Sequence, residues 1–177
     1  MRPHRPKRKP GTRRSVWRLI AVAIAAIVAA SALAAGAAGG ASTGSPLRLQ
    51  GTDVRTGKPI SLAADAGKPV LVNLWSSSCG ACFADARALA RFERSHLAVR
   101  VLGVDVTDTA SGARSLYRRA GWRHPSIADP NGRIAPQLRM ETLPTTLFLN
   151  AKHEVVERIN GQTTTSGFAA GYRRASR

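Results

Sequence analysis

Cys79 and Cys82 are the two cysteines of this 177-residue chain, and only Gly80 and Ala81 stand between them. Two thiols cannot build a disulfide scaffold, and a ring closed over two intervening residues would hardly constrain an unfolded chain. Their use is therefore chemical. A thiol at the start of a helix meets unsatisfied backbone N–H groups and the positive end of the helix dipole, which lower its pKa from about 8.5 into a range of roughly 3.5 to 7.5. Cys79, at the helix start, gains most from this field, and Cys82, nearly one turn further in, is the more buried, resolving thiol. Half of a zinc site is the competing use. Zinc wants four ligands, yet the sequence has no second cysteine pair, and His4, His96, His124 and His153 are scattered. Asp85, three residues after Cys82, is the nearest carboxylate that could take a proton from it; its alternative is a solvated place on the helix surface.

The elements that must hold these residues follow from periodicity. Val70–Trp75 (Val-Leu-Val-Asn-Leu-Trp) is nearly continuous apolar sequence, as a strand covered on both faces requires. After it, Cys82, Phe83, Ala86, Leu89, Ala90 and Phe92 share one face of a helix, with Arg87, Arg91 and Arg94 on the other. Residues 99–106 form a second β-branched strand, and a helix follows over about residues 111–120. Strand, helix and strand at this spacing require a parallel pair with a crossover helix. Residues 145–149 and 155–159 are strands separated by a short turn-forming gap, so they pair as an antiparallel hairpin. A last helix covers residues 166–174. Residues 47–49 and 60–62 read as an edge-strand pair ahead of the central strand. The sum is an α/β fold of thioredoxin-like type: a central mixed sheet flanked by helices, with a helix-containing insert between its two halves.

Charge is placed unevenly. The chain has 27 basic and 10 acidic side chains, a formal charge of +17. Residues 1–18 hold eight of the basic groups and no acid, so the rest of the chain carries +9. A basic run followed by an apolar one is a targeting or anchoring signal before it is a nucleic-acid site. Residues 19–38 supply the roughly 20 apolar residues that cross a bilayer as a helix. Lys and Arg stay on the cytoplasmic side, so the following domain is expected outside. Ala35-Gly36-Ala37 resembles a cleavage site, so a single-pass anchor and a cleaved signal both stay open. The pair Arg13-Arg14 resembles a twin-arginine export signal. Residues 39–46 read as a flexible tether. Residues 47–177 are enough for one domain and exclude two in tandem.

Four motifs occur in one order: Gly67-Lys68-Pro69 leading into the central strand, Cys79-x-x-Cys82, Asp129-Pro130-Asn131-Gly132, and Leu143-Pro144-Thr145-Thr146 leading into the hairpin. Together they resemble the TlpA/ResA type of membrane-tethered, thioredoxin-like thiol-disulfide oxidoreductase, over about residues 47–174. The resemblance implies an extracytoplasmic protein that exchanges dithiol and disulfide with other proteins, often as a reductant in cytochrome c maturation. It implies that Pro144 is cis and lies beside the cysteine pair, and that Trp75, Ser78, Leu143 and Pro144 form the substrate-binding surface. Asp85 matches an acidic position, usually glutamate. Asn73 stands where thioredoxins proper carry a buried aspartate; asparagine moves no proton and is expected to hydrogen-bond in the core. Two departures matter. Ser76-Ser77-Ser78 replaces the usual aromatic before the first cysteine, making the rim more polar, and Gly-Ala lies between the cysteines where a proline-containing pair is usual.

Other functions compete. Ser76-x-x-Cys79 resembles the hydroxyl-x-x-Cys of peroxiredoxins, which implies a thiol peroxidase. A copper-delivery module would use both thiols with His124 or His153, since soft thiolates suit Cu(I). Nucleic-acid binding is disfavoured, because Arg118, Arg119 and Arg123 read as a solvated helix face. The expected chemistry has Cys79 attack a substrate disulfide and Cys82 resolve the mixed disulfide. No cofactor and no metal are expected. The expected partners are protein disulfides and a membrane or extracytoplasmic thiol electron donor, and the expected assembly is a monomer.

Overall fold

Every side chain of β3 (Val70–Trp75) is buried in the computed structural model, which describes residues 44–177. The basic segment, the apolar span and all but the end of the tether lie outside the described residues. Among the described residues, no helix is long and apolar enough to cross a membrane.

Alternation along β3 divides the core, as a period of two requires. Leu71 and Trp75 face one layer, with Cys82, Leu89, Phe92, Phe148 and Phe168. Val70, Val72 and Leu74 face the other, with Leu49, Leu62, Leu102, Val104, Ile127 and Leu147. The first layer is covered by three helices: α1 (Gly80–Ser95), α2 (Ala110–Ala120) and α3 (Thr165–Ala175). With β4 (Val101–Val106), β5 (Ser126–Asp129), β6 (Thr145–Leu149) and β7 (Val155–Asn160), the sheet has the order β5-β4-β3-β6-β7. The β3-β4 and β4-β5 pairs are parallel; β3-β6 and β6-β7 are antiparallel. β3 is thus the middle strand, and the thioredoxin-like arrangement expected from the periodicity is present.

Two expectations need correction. The edge pair is not residues 47–49 with 60–62 but β1 (Gln50–Thr52) with β2 (Pro59–Ser61). Leu49 and Leu62 are drawn into the second core layer instead, and the Ser61 hydroxyl caps a short 3-10 turn, Leu62–Asp65, by accepting the Ala63 N–H. The second correction is β5, which lies where an insert was expected. Its polar ends hide it: Ser126 and Asp129 are buried because hydrogen bonds satisfy them, not because they are apolar.

Ser126 is the centre of the cluster that fixes the Trp75 end of β3. Its hydroxyl accepts from the Trp75 indole N–H (3.2 Å) and from the Tyr117 hydroxyl (2.6 Å). Trp75, Tyr117 and Trp122 meet edge to face with centroids 5.3 to 5.7 Å apart. Gly103 of β4 leaves room for this: a Cβ there would lie 1.8 Å from Ser126 Oγ and 2.9 Å from the Trp75 indole nitrogen. Gly103→Ala is therefore expected to destabilise the domain by about 2 to 4 kcal/mol, from overpacking and broken buried hydrogen bonds. Urea unfolding checks this, and an unchanged midpoint would contradict the packing described.

Candidate functional site

Cys79 is the N-cap of α1, and its Sγ accepts the Cys82 backbone N–H at 3.0 Å. The two sulfurs form a disulfide, with Cα atoms 5.2 Å apart. Burial distinguishes them: Cys79 is partly exposed, whereas Cys82 is 1% exposed. In the reduced protein the same N–H and the same helix terminus favour a thiolate on Cys79 and offer nothing comparable to Cys82.

About one turn along α1 from Cys82, Asp85 is 2% exposed, which overturns the solvated-surface alternative. One carboxyl oxygen accepts the Thr163 N–H at 2.9 Å, and the other lies 3.4 Å from the Asn73 amide nitrogen. Asn73 also donates to the Thr146 hydroxyl at 3.1 Å, the core role expected of it. Burial pushes the Asp85 pKa up to about 6, against the pull of the Thr163 and Asn73 hydrogen bonds. The loop ahead of α3 thereby wraps the first turn of α1, and Gln162 adds a hydrogen bond to the Ala81 carbonyl at 3.0 Å.

The Leu143-Pro144 peptide is cis. Pro144 is buried and gives its carbonyl to the Gly161 N–H (2.8 Å), while Leu143, outside the ladder of β6, packs against the core layer that Cys79 and Cys82 also join. Ser78 is exposed beside Cys79. Trp75, expected on the substrate surface, is wholly buried: its ring is held by Ser126, Tyr117 and Trp122, so it supports the site from inside. The Ser76 hydroxyl lies 3.0 Å from that of Ser78, and among the described residues no arginine hydrogen-bonds the Cys79 sulfur. His124 Nδ1 lies 2.9 Å from Glu93 while its buried Nε2 has no hydrogen-bond partner, and His153 Nε2 lies 3.2 Å from the Asp65 carbonyl. Among the described residues, no group of three His, Cys, Asp or Glu side chains is placed to hold a metal ion.

A carboxyl pair, Asp105 and Asp108, lies behind the serine loop that precedes Cys79, and no sequence motif announces it. Asp108 accepts from the Ser77 N–H (2.5 Å), the Ser77 hydroxyl (2.7 Å) and the Thr109 N–H (2.6 Å), which ties the serine loop before Cys79 to the start of α2. Burial works against its charge, but these donors and a hydrogen bond from Asp105 hold its pKa below the usual carboxylate range. Asp105 lies on β4 in register with Trp75, is 4% exposed, and its Oδ1 has no hydrogen-bond partner. Burial, then the charge and hydrogen bond of Asp108 and the charge of Asp129, push its pKa up to about 8. The available signal was an aspartate inside an otherwise apolar strand, Val-Leu-Gly-Val-Asp-Val.

The Redoxin family profile matches residues 43–172. The thiol-disulfide oxidoreductase ResA of Bacillus subtilis (strain 168) is 26% identical over 113 residues, covering 62% of this chain and 63% of that protein. The thiol:disulfide interchange protein DsbE of Xylella fastidiosa (strain 9a5c) is 30% identical over 88 residues, covering 49% of this chain and 44% of that one. The chain thus spans less than two thirds of the length of these curated relatives. The crystal structure of a DsbF homologue from Corynebacterium diphtheriae shares the fold with a TM-score of 0.67 at 24% identity, covering 73% of this chain and 85% of that one.

The raised Asp105 pKa has a signed consequence. Between its unfolded value near 3.8 and its folded value near 8, the folded state holds a proton that the unfolded chain has lost, so its contribution to stability falls as pH rises through that window. Asp105→Asn mimics the protonated form. It is expected to leave stability near wild type at about pH 5 and to raise it by about 1 to 3 kcal/mol at about pH 8. Chemical denaturation at the two pH values checks this; an equal change at both would contradict it.

Proposed function

The chain belongs to the Redoxin family, and from that membership and the site geometry we propose that it is a thiol-disulfide oxidoreductase that reduces protein disulfides through Cys79 and Cys82. The observation that carries the proposal is the Cys82 N–H aimed at Cys79 Sγ at the mouth of α1. The names of the ResA and DsbE relatives support it.

The Cys79 thiolate attacks one sulfur of a substrate disulfide, forming a mixed disulfide and releasing the other sulfur as a thiolate. Cys82 loses its proton, attacks Cys79 Sγ and expels the second substrate sulfur. The substrate leaves with two electrons and, after protonation, as a dithiol; the chain keeps the Cys79–Cys82 disulfide. A dithiol donor at the membrane or outside the cytoplasm must then return two electrons and two protons. With its pKa raised to about 6, Asp85 is mostly ionised at neutral pH and accepts the Cys82 proton. Leu143 and Pro144 hold the extended substrate backbone, with Ser78 at the rim. The resemblance to the TlpA/ResA type extends the substrates to disulfides met in cytochrome c maturation. The basic residues 1–18 and apolar residues 19–38 support a domain tethered outside the cytoplasm.

One experiment tests chemistry and location together. Cys82→Ser expressed in cells is expected to accumulate mixed disulfides with other proteins, because the resolving thiol is gone, and Cys79→Ser to accumulate none. Protease added to spheroplasts is expected to digest the trapped species. The opposite trapping pattern would reverse the assigned roles, and full protection from protease would overturn the location.

A further inference from the structure

Around the outside of α1, one turn apart, stand Cys79, Phe83 and Arg87; positions four residues apart share a helix face. Phe83 does not enter the core as its neighbours Cys82 and Ala86 do. It is half-buried, with the Arg87 guanidinium 5.2 Å and that of Arg119 4.4 Å from its ring centroid. Arg119 belongs to α2, whose exposed side continues the charge. Arg114, Arg118 and Arg123, with Arg55 from the edge loop, line a depression of about 470 Å³ over Tyr117 and Trp122.

Six guanidinium groups along one surface repel one another unless something anionic lies among them. Carboxylates lie near this surface without pairing to its guanidiniums: Glu93 shares a neighbouring depression with Arg123, and Asp53 accepts the Arg55 backbone N–H at 3.4 Å. Among the described residues the carboxylate salt bridges are Arg100–Asp65, Arg174–Glu157 and His124–Glu93, and none involves these six arginines. Of the acidic residues of α1, Glu93 is occupied by His124, and Asp85 is buried, where Thr163 and Asn73 hold it. An aromatic ring between two guanidiniums is also a ready contact for an apolar side chain next to acidic ones.

We propose that this stripe, from Phe83 through Arg119 to the arginine-lined depression, docks an acidic segment flanking the disulfide of the substrate protein. The assignment rests on the reading of Cys79 as the attacking thiol, because the stripe starts one turn from its sulfur and a segment lying along it delivers a neighbouring disulfide there. Oppositely charged surfaces raise encounter rates and fix orientation, and the gain fades as salt screens the charges.

The test uses the reduced full chain and two disulfide-linked peptides, identical except that one carries glutamates and the other lysines beside the cystine. At low ionic strength the glutamate peptide is expected to be reduced about tenfold faster or more. The difference should shrink at high salt, where screening reaches about 3 Å. The double variant Arg114→Glu with Arg118→Glu should shrink or invert the preference, read as the ratio of the two rates within that variant. Equal rates at low salt would overturn the docking surface while leaving the oxidoreductase reading intact. A preference that survives the double variant unchanged would overturn its assignment to α2. Failure to reduce either peptide would overturn the oxidoreductase reading itself.

Discussion

A sulfur at the N-cap of a helix is offered a backbone hydrogen bond that sulfurs further along are not, and in this chain the Cys82 N–H reaches Cys79 Sγ at 3.0 Å. Everything else in the domain keeps that junction in place. β3 is buried along its whole length in the middle of the sheet, so it cannot slide without exposing one core layer or the other. Its last residue, Trp75, is locked by the Ser126 hydroxyl, and three serines later the chain turns into α1. The Asp108 carboxylate grips the middle serine by both its N–H and its hydroxyl. The helix terminus is therefore fixed from the strand behind it and from the loop beside it.

Two buried carboxyls surround this terminus with different consequences. Asp85 lies on the buried face of the helix, accepts the Thr163 N–H and approaches the Asn73 amide, and burial raises its pKa to about 6. Asp105 is the weaker acid and keeps its proton while Asp108 is ionised, so that only one charge of that pair sits in the low-dielectric interior. Both groups oppose stability as pH rises through their raised pKa values.

The place of the cysteine pair at a helix start, the order of the central elements, the cis bond before Pro144 and the core place of Asn73 were legible because each depends on local pattern or on a recognisable motif. The remainder depended on partners far along the chain. The burial of Asp85 is set by a hydrogen bond from Thr163, 78 residues later, and no helical wheel of α1 contains that information. β5 is hidden because two of its four residues, Ser126 and Asp129, are polar and are buried through hydrogen bonds. Trp75 ends a strand, and alternation alone does not say whether the last ring lies in the rim or in the core; Tyr117 and Trp122 decide it. Asp105 is easily passed over within a strand whose other side chains are apolar, although a lone charge in such a strand is itself the signal.

The helix terminus is expected to make Cys79 the acidic, attacking thiol, while the negative charge of Asp85 on the same helix disfavours that thiolate and tempers it. The pH dependence of alkylation of the reduced protein, resolved by residue, tests this directly. Cys79 is predicted to titrate clearly below the ordinary thiol value of about 8.5 and Cys82 above it, with Cys79 moving lower still in Asp85→Asn. A Cys79 that titrates at or above that value, or that is unmoved by Asp85→Asn, would contradict the account.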